Sequence, residues 1–233
     1  MISIVIPAYN EEFRIGTTLE KIQIYMNSNH QNYEIIVVDD GSKDKTINVV
    51  KSFNESIKII RQERNQGKGA AVRRGILEAS GDIRLFTDAD LSTPIYEIEK
   101  VIKWHNEGFE VCIGSRALQS ELIKEHQPFY REFMGKTFNK MVQFLVVKGI
   151  RDTQCGFKSF TAEAARKIFS NCKINGFAFD VEAVYLASKF NFKIKEIPIE
   201  WYNDDRSKLN PITDSSRMFF EILKIRKLHK DLN

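Results

Sequence analysis

Apolar residues in this chain come in short, unbroken runs. Ile2 to Pro7, Tyr33 to Val38, Ile57 to Ile60, Ile83 to Phe86, Phe109 to Ile113 and Lys193 to Ile199 are such runs. Their length and continuity predict strands buried on both faces. Between them, residues at about 12–28, 43–53, 67–79 and 94–107 read as helices. Strand–helix alternation of this kind predicts an α/β fold, with a mainly parallel sheet covered on both faces. The alternation lapses after Arg116. Residues at about 117–149 read as a long, mostly helical segment, followed by a compact stretch around Asp152 to Phe157. A helix follows Phe179-Asp180, and a basic helix is expected near 215–230. The expectation is one domain over residues 1–233, with a nucleotide-type layer in 1–116 and a second half, 117–233, that completes the sheet.

Composition narrows this picture. With 233 residues, 42% of them hydrophobic, the chain can bury one sizeable core. A net charge of +4 suits an anionic ligand or a membrane surface and does not require nucleic acid. Cys112, Cys155 and Cys172 form no Cys-x-x-Cys pair. Their odd number argues against a disulfide framework and points to a reducing cytosol. The chain opens on Ile2-Ser3-Ile4-Val5-Ile6 with no basic leader. No run approaches the roughly 20 apolar residues that span a bilayer. The expected location is therefore cytoplasmic, with any membrane contact peripheral and on the cytosolic face. His30, His105, His126 and His229 show no ligand spacing.

The chemistry gathers at the predicted strand ends. Ile83 to Phe86 runs into Thr87-Asp88-Ala89-Asp90. Residues two apart in an extended segment face one point. Two hard oxygen donors there suit Mg²⁺ or Mn²⁺ carrying a diphosphate; a solvated turn or helix cap is the alternative. Asp39 and Asp40 close the second strand. A carboxylate there can accept from a nucleobase N–H or from ribose hydroxyls, and Ser42 can cap the helix that follows. Asn65-Gln66-Gly67-Lys68-Gly69 leads into another helix, whose start can meet phosphates or can be a tight turn. Lys68 is counted with the donor-binding residues. The first strand ends in Pro7-Ala8-Tyr9-Asn10-Glu11, without the Gly-x-Gly-x-x-Gly turn, and the Gly67-Lys68-Gly69 run lacks the P-loop's spacing.

Taken together, Pro-Ala-Tyr-Asn-Glu, Val-Val-Asp-Asp-Gly-Ser, Asn-x-Gly-Lys-Gly and Thr-Asp-Ala-Asp-Leu-Ser-Thr-Pro resemble the family 2 glycosyltransferases, in order and in position. That family has the GT-A fold and uses nucleotide-activated sugars. Gly114-Ser115-Arg116, Asp152-Thr153-Gln154-Cys155-Gly156-Phe157-Lys158 and Phe179-Asp180-Val181-Glu182 look like one branch of it. That branch holds the dolichyl-phosphate glucosyltransferases and mannose synthases, which load a polyprenyl phosphate. The resemblance implies that Pro7, Tyr9, Glu11 and Asp39 line the nucleotide pocket and that Asp88 and Asp90 bind Mg²⁺ or Mn²⁺. It places Arg116 and Arg131 near donor and acceptor phosphates, and Lys208 on a loop closing over the donor. Mannose synthases often have a metal-binding Gln where this chain has Ser92. The difference favours UDP-glucose over GDP-mannose.

The implied reaction is inverting transfer of a hexose to a polyprenyl phosphate. A phosphate monoester is already anionic, since its second pKa is about 6, so it needs a cationic seat more than a base. Asp180 and Glu182 are the candidate base if the acceptor is instead a sugar hydroxyl; otherwise they cap and orient their helix. A catalytically silent nucleotide-sugar-binding protein is the reading from another class. Residues 129–145 form a basic amphipathic segment with Phe133 and Phe138 on its apolar side. It can pack on the core or lie in a membrane interface. The run Lys224 to Lys230 can attract anionic lipids or be a solvated helix end.

Overall fold

The computed structural model describes residues 1–53, 56–125, 142, 146, 149–204 and 213–232. The described strands are β1 (Ile2–Ala8), β2 (Tyr33–Asp39), β3 (Lys58–Arg61), β4 (Ile83–Thr87), β5 (Val111–Ser115), β6 (Phe157–Thr161) and β7 (Ile194–Pro198). They form one sheet in the order β3-β2-β1-β4-β6-β5-β7. β1 pairs in parallel with β2 and β4, β2 with β3, and β5 with β7. β6 alone is inserted antiparallel, between β4 and β5.

Helices α1 (Ile15–Asn29), α2 (Thr46–Phe53), α3 (Lys68–Glu78), α4 (Ile98–Asn106), α5 (Ala162–Phe169), α6 (Phe179–Lys189) and α7 (Thr213–Leu228) cover the two faces. Successive strand residues point to opposite faces. Val5, Ile36, Val38 and Phe86 accordingly join α3, α5, α6 and α7 in one core layer. Ile4, Ile6, Ile35, Val37 and Leu85 join α1 and α4 in the other. On α1 the buried residues Ile15, Leu19, Ile22 and Met26 keep the three- and four-residue spacing of a helix face.

The six expected strands are all present, within about two residues at each end. β6 and α5 were not expected. The β6 sequence Phe157-Lys158-Ser159-Phe160 neither alternates nor runs apolar, yet all four residues are buried. Its lysine is satisfied by an ion pair, which no hydropathy pattern reveals. The amphipathic segment 129–145, with Arg131, Phe133 and Phe138, and the loop holding Lys208 lie outside the described residues.

The strand order reverses at β1. β2 lies to one side of it and β4 to the other, so their following connections leave in opposite directions and open a crevice at the strand C-termini. The segment after β1 (Tyr9 to Glu11) and the segment after β4 (Asp88 to Asp90) face each other across it.

Candidate active site

A cavity of about 560 Å³ fills this crevice. Pro7, Tyr9, Glu11, Lys68, Asp88 and Asp90 all line it, so six of the expected site residues converge. Gly176, Phe177, Met218 and Glu221, from the start of α6 and from α7, close its far wall. Both halves of the chain thus build the pocket. Two non-glycine residues beside it, Asn10 (φ 57°) and Leu91 (φ 50°), sit in the left-handed region. For leucine this is a real strain, of order 1–3 kcal/mol, of the kind that clusters at ligand sites.

The metal-type carboxylates emerge directly from β4. Asp88 Oδ1 lies 2.6 Å from the Lys68 ammonium. Asp90 Oδ1 accepts from Ser92 N–H at 3.0 Å, which fixes its orientation. Burial, and then the neighbouring Asp88, push the Asp90 carboxyl above its usual range. Among the described residues no group of three or more His, Cys, Asp or Glu could by itself hold a metal. Two carboxylates fill only part of the six-oxygen shell of Mg²⁺ or Mn²⁺. They fit such an ion when a diphosphate and water supply the remaining ligands.

The paired acids after β2 divide their work. Asp40 accepts from Gln66 N–H (2.7 Å), Gly67 N–H (2.9 Å) and Gln62 Nε2 (3.0 Å), so it clamps the loop that starts α3. Ala70 N–H donates to Asn175 O at 3.2 Å. Three amides at this helix start are therefore taken, and Lys68 is the group the turn offers to the cavity. Gly67 has φ +105°, and a Cβ there would meet Asn175 O at 2.4 Å, so only glycine fits. Asp39 is fully buried. Its Oδ1 accepts from Ser42 N–H at 3.1 Å, while its Oδ2 has no hydrogen-bond partner and lies 3.6 Å from Arg61 Nε. Ser42 does not cap a helix as expected. Its hydroxyl accepts from Asn10 N–H at 2.9 Å, and α2 begins only at Thr46.

Replacing Asp39 with Ala is expected to weaken nucleotide binding by about 1–3 kcal/mol, the worth of a buried hydrogen bond to a ligand. Titration calorimetry with UDP and GDP measures this. Unchanged affinity for both would reduce Asp39 to a turn-stabilising role.

Arg116 leaves the end of β5 and is held by Asp152 in a two-pronged pair, Nε–Oδ2 2.7 Å and Nη2–Oδ1 2.9 Å. Its guanidinium also lies over the Trp201 ring, 5.4 Å from the centroid. Burial opposes both charges, but the pair overcomes it. Arg116 is held above its usual value, and Asp152 is brought down to about 2. A fixed, permanently charged guanidinium suits a phosphate, although Arg116 is not among the residues that line the cavity.

Asp180 is not a helix cap. The N-cap of α6 is Ala178, with no side-chain bond. Asp180 is buried and accepts from Lys158 Nζ at 2.5 Å, and Lys158 has no exposed surface at all. Burial raises the Asp180 carboxyl above its usual range despite Lys158 and Lys68. A carboxylate engaged this way is poorly placed as a general base. Glu182 is equally buried. It accepts from Lys173 N–H and Ile174 N–H and contacts His229 Nε2 at 2.7 Å, tying α6 to the end of the chain. Lys158→Met is expected to cost about 3–5 kcal/mol in urea unfolding, because it strands a buried carboxylate. The double variant Lys158→Met/Asp180→Leu should recover most of that loss. No recovery would mean the pair does not act as a unit.

Sequence reasoning missed Arg14, Lys158 and the α7 wall. Arg14 lines the cavity and binds Glu11 through Nε (2.7 Å) and Nη2 (2.8 Å), three residues away. That spacing was a readable signal. The contribution of Met218 and Glu221 had none, because only the tertiary fold brings α7 to the donor crevice.

The fold and the carboxylates at its strand ends fit the GT-A class of glycosyltransferase. Residues 3–169 match the family described as Glycosyl transferase family 2, and the chain belongs to that family. It is similar to dolichyl-phosphate beta-glucosyltransferases. The Dictyostelium discoideum protein is 39% identical over 97% of this chain and 73% of its own length. The Homo sapiens protein is 39% identical over 97% and 74%. Among solved structures, glucosyl-3-phosphoglycerate synthase from Mycobacterium tuberculosis, in complex with Mn²⁺ and UDP-glucose, superposes with a TM-score of 0.71. It is 19% identical, over 97% of this chain and 78% of that one. At that identity the likeness speaks for the fold.

Proposed function

We propose that this enzyme transfers glucose, with inversion, from UDP-glucose to dolichyl phosphate or a similar polyprenyl phosphate. The observation that carries this reading is near full-length similarity to dolichyl-phosphate beta-glucosyltransferases, 39% over 97% of the chain. The site is chemically suited to it. Asp88 and Asp90 would hold Mg²⁺ or Mn²⁺, which supplies Lewis-acid stabilisation of the leaving diphosphate. Asp39 Oδ2, buried, with no hydrogen-bond partner and with Arg61 Nε 3.6 Å away, suits a nucleobase N–H. An oxygen of the acceptor phosphate attacks the anomeric carbon as the bond from that carbon to the diphosphate oxygen breaks. One displacement inverts the centre. No proton has to leave the nucleophile, so the commitment of Asp180 to Lys158 is no obstacle. Arg116, held rigid by Asp152, offsets the repulsion between the two phosphate groups.

No helix among the described residues is long and apolar enough to cross a membrane. The outward side of α7 exposes Phe220 (60%) and Leu223 (49%) beside the exposed Lys224 and Lys227. A basic surface with apolar residues suits peripheral contact with an anionic membrane. Phe220→Ser should reduce sedimentation with anionic vesicles, and equal sedimentation would exclude this face.

Incubation with Mn²⁺, dolichyl phosphate and labelled UDP-glucose or GDP-mannose tests the function. Label from UDP-glucose should appear in the lipid phase. Transfer only from GDP-mannose, or only to a sugar hydroxyl, would overturn the reading.

A further inference from the structure

We propose that Lys68 is an exchangeable counter-ion that couples metal binding to nucleotide binding. This rests on the reading of Asp88 and Asp90 as the metal carboxylates. The Lys68 ammonium lies 2.6 Å from Asp88 Oδ1. A divalent cation held by Asp88 and Asp90 would stand close to this ammonium and be repelled by it.

The other cations near the site are bound differently. Lys158 is wholly buried on Asp180 and Cys155 O. Arg14 is engaged by Glu11, Arg116 by Asp152 and Arg217 by Glu221. Lys68 differs from them because its partner is a carboxylate that the metal needs. It stands in the first turn of α3 on a flexible stem, and its side chain is 22% exposed and lines the donor cavity.

Two consequences follow from charge alone. A metal ion arriving without nucleotide competes with the Lys68 ammonium for Asp88 and meets its positive charge at short range. It also finds only two protein carboxylates, since no third ligand joins them among the described residues. A metal ion arriving with a diphosphate meets neither difficulty. The diphosphate completes the coordination shell, and the displaced ammonium moves from a carboxylate oxygen to a phosphate oxygen in the same cavity. Metal and nucleotide should then bind with positive coupling, and linkage makes that coupling reciprocal. Lys68 thus acts as a positioning residue for Asp88 before the donor binds, and as a donor contact afterwards.

The test is Mn²⁺ titration, followed by the electron paramagnetic resonance signal of the free ion, with and without UDP. Wild type should bind Mn²⁺ weakly alone and at least about tenfold more tightly with UDP, the scale of one charged hydrogen bond. Lys68→Met should bind Mn²⁺ alone about tenfold more tightly than wild type and show a UDP effect smaller by about that factor, the part due to the diphosphate completing the shell remaining. Lys68→Arg keeps the charge and should behave like wild type, which excludes an effect of mere packing. Circular dichroism confirms that each variant is folded. The proposal is overturned if Lys68→Met matches wild type in both titrations, or if Lys68→Arg behaves like Lys68→Met. Failure of the underlying metal reading looks different: Asp88→Asn would then bind Mn²⁺ with UDP as well as wild type does.

Discussion

Asp88→Asn and Asp90→Asn should each lower turnover by about a thousandfold or more, the scale of losing preorganised charge stabilisation at a reacting group. Each variant keeps the shape of the side chain and removes one negative charge. Asp90→Asn also keeps the acceptor oxygen for Ser92 N–H, so its turn should persist. Asp88→Asn removes the charged partner of Lys68 as well. It should therefore leave binding of metal-free UDP intact or slightly improved while abolishing the metal-dependent part. Initial rates in Mn²⁺, paired with calorimetric UDP titrations in chelator, separate these effects. Near-normal rates in either variant would show that the leaving diphosphate is stabilised by other groups, with Arg116 the first to examine.

The parts of this site that were legible from sequence are those set by strand ends. A buried parallel strand is an unbroken apolar run, and the residues that follow it lie at the ligand edge of the sheet. Asp88 and Asp90 could be placed from that alone, whereas Tyr9 was placed through the family resemblance. What was not legible depends on pairing across the fold. Asp40 looks like Asp39 in sequence, yet it is consumed by the backbone amides of Gln66 and Gly67. Lys158 makes β6 look polar because its counter-ion, Asp180, lies 22 residues away on another element. The run Asp152 to Lys158 was distinctive as a resemblance and had no physical reading of its own. In the structure it ties together the expected site residues: Asp152 fixes Arg116, Gly156 abuts Asp88, and Lys158 holds Asp180.

Gly156→Ala should reduce turnover about a hundredfold with little change in metal-free nucleotide binding. Gly156 is absent from the residues with positive φ, so its backbone would accept an alanine without strain. Space is what forbids it. A Cβ at this position would lie 2.0 Å from Asp88 Oδ2 and 2.5 Å from its Cγ, where ordinary contact begins at 3.4 Å. The carboxylate would have to move by about 1.4 Å, the difference between 3.4 and 2.0 Å. A displacement of about 1 Å at a group that positions reactants can cost about 10²-fold in rate. Because Asp88 is half-exposed on the cavity side, it can yield into the cavity, so the fold should survive with a modest loss of stability. Gly108→Ala is the matched control. It lies in the turn before β5, and nothing stands within 4 Å of its added Cβ. It carries only the strain of a positive φ and should keep full activity. Equal kcat for Gly156→Ala and wild type, with Mn²⁺ affinity unchanged, would mean that Asp88 need not occupy its observed position for catalysis.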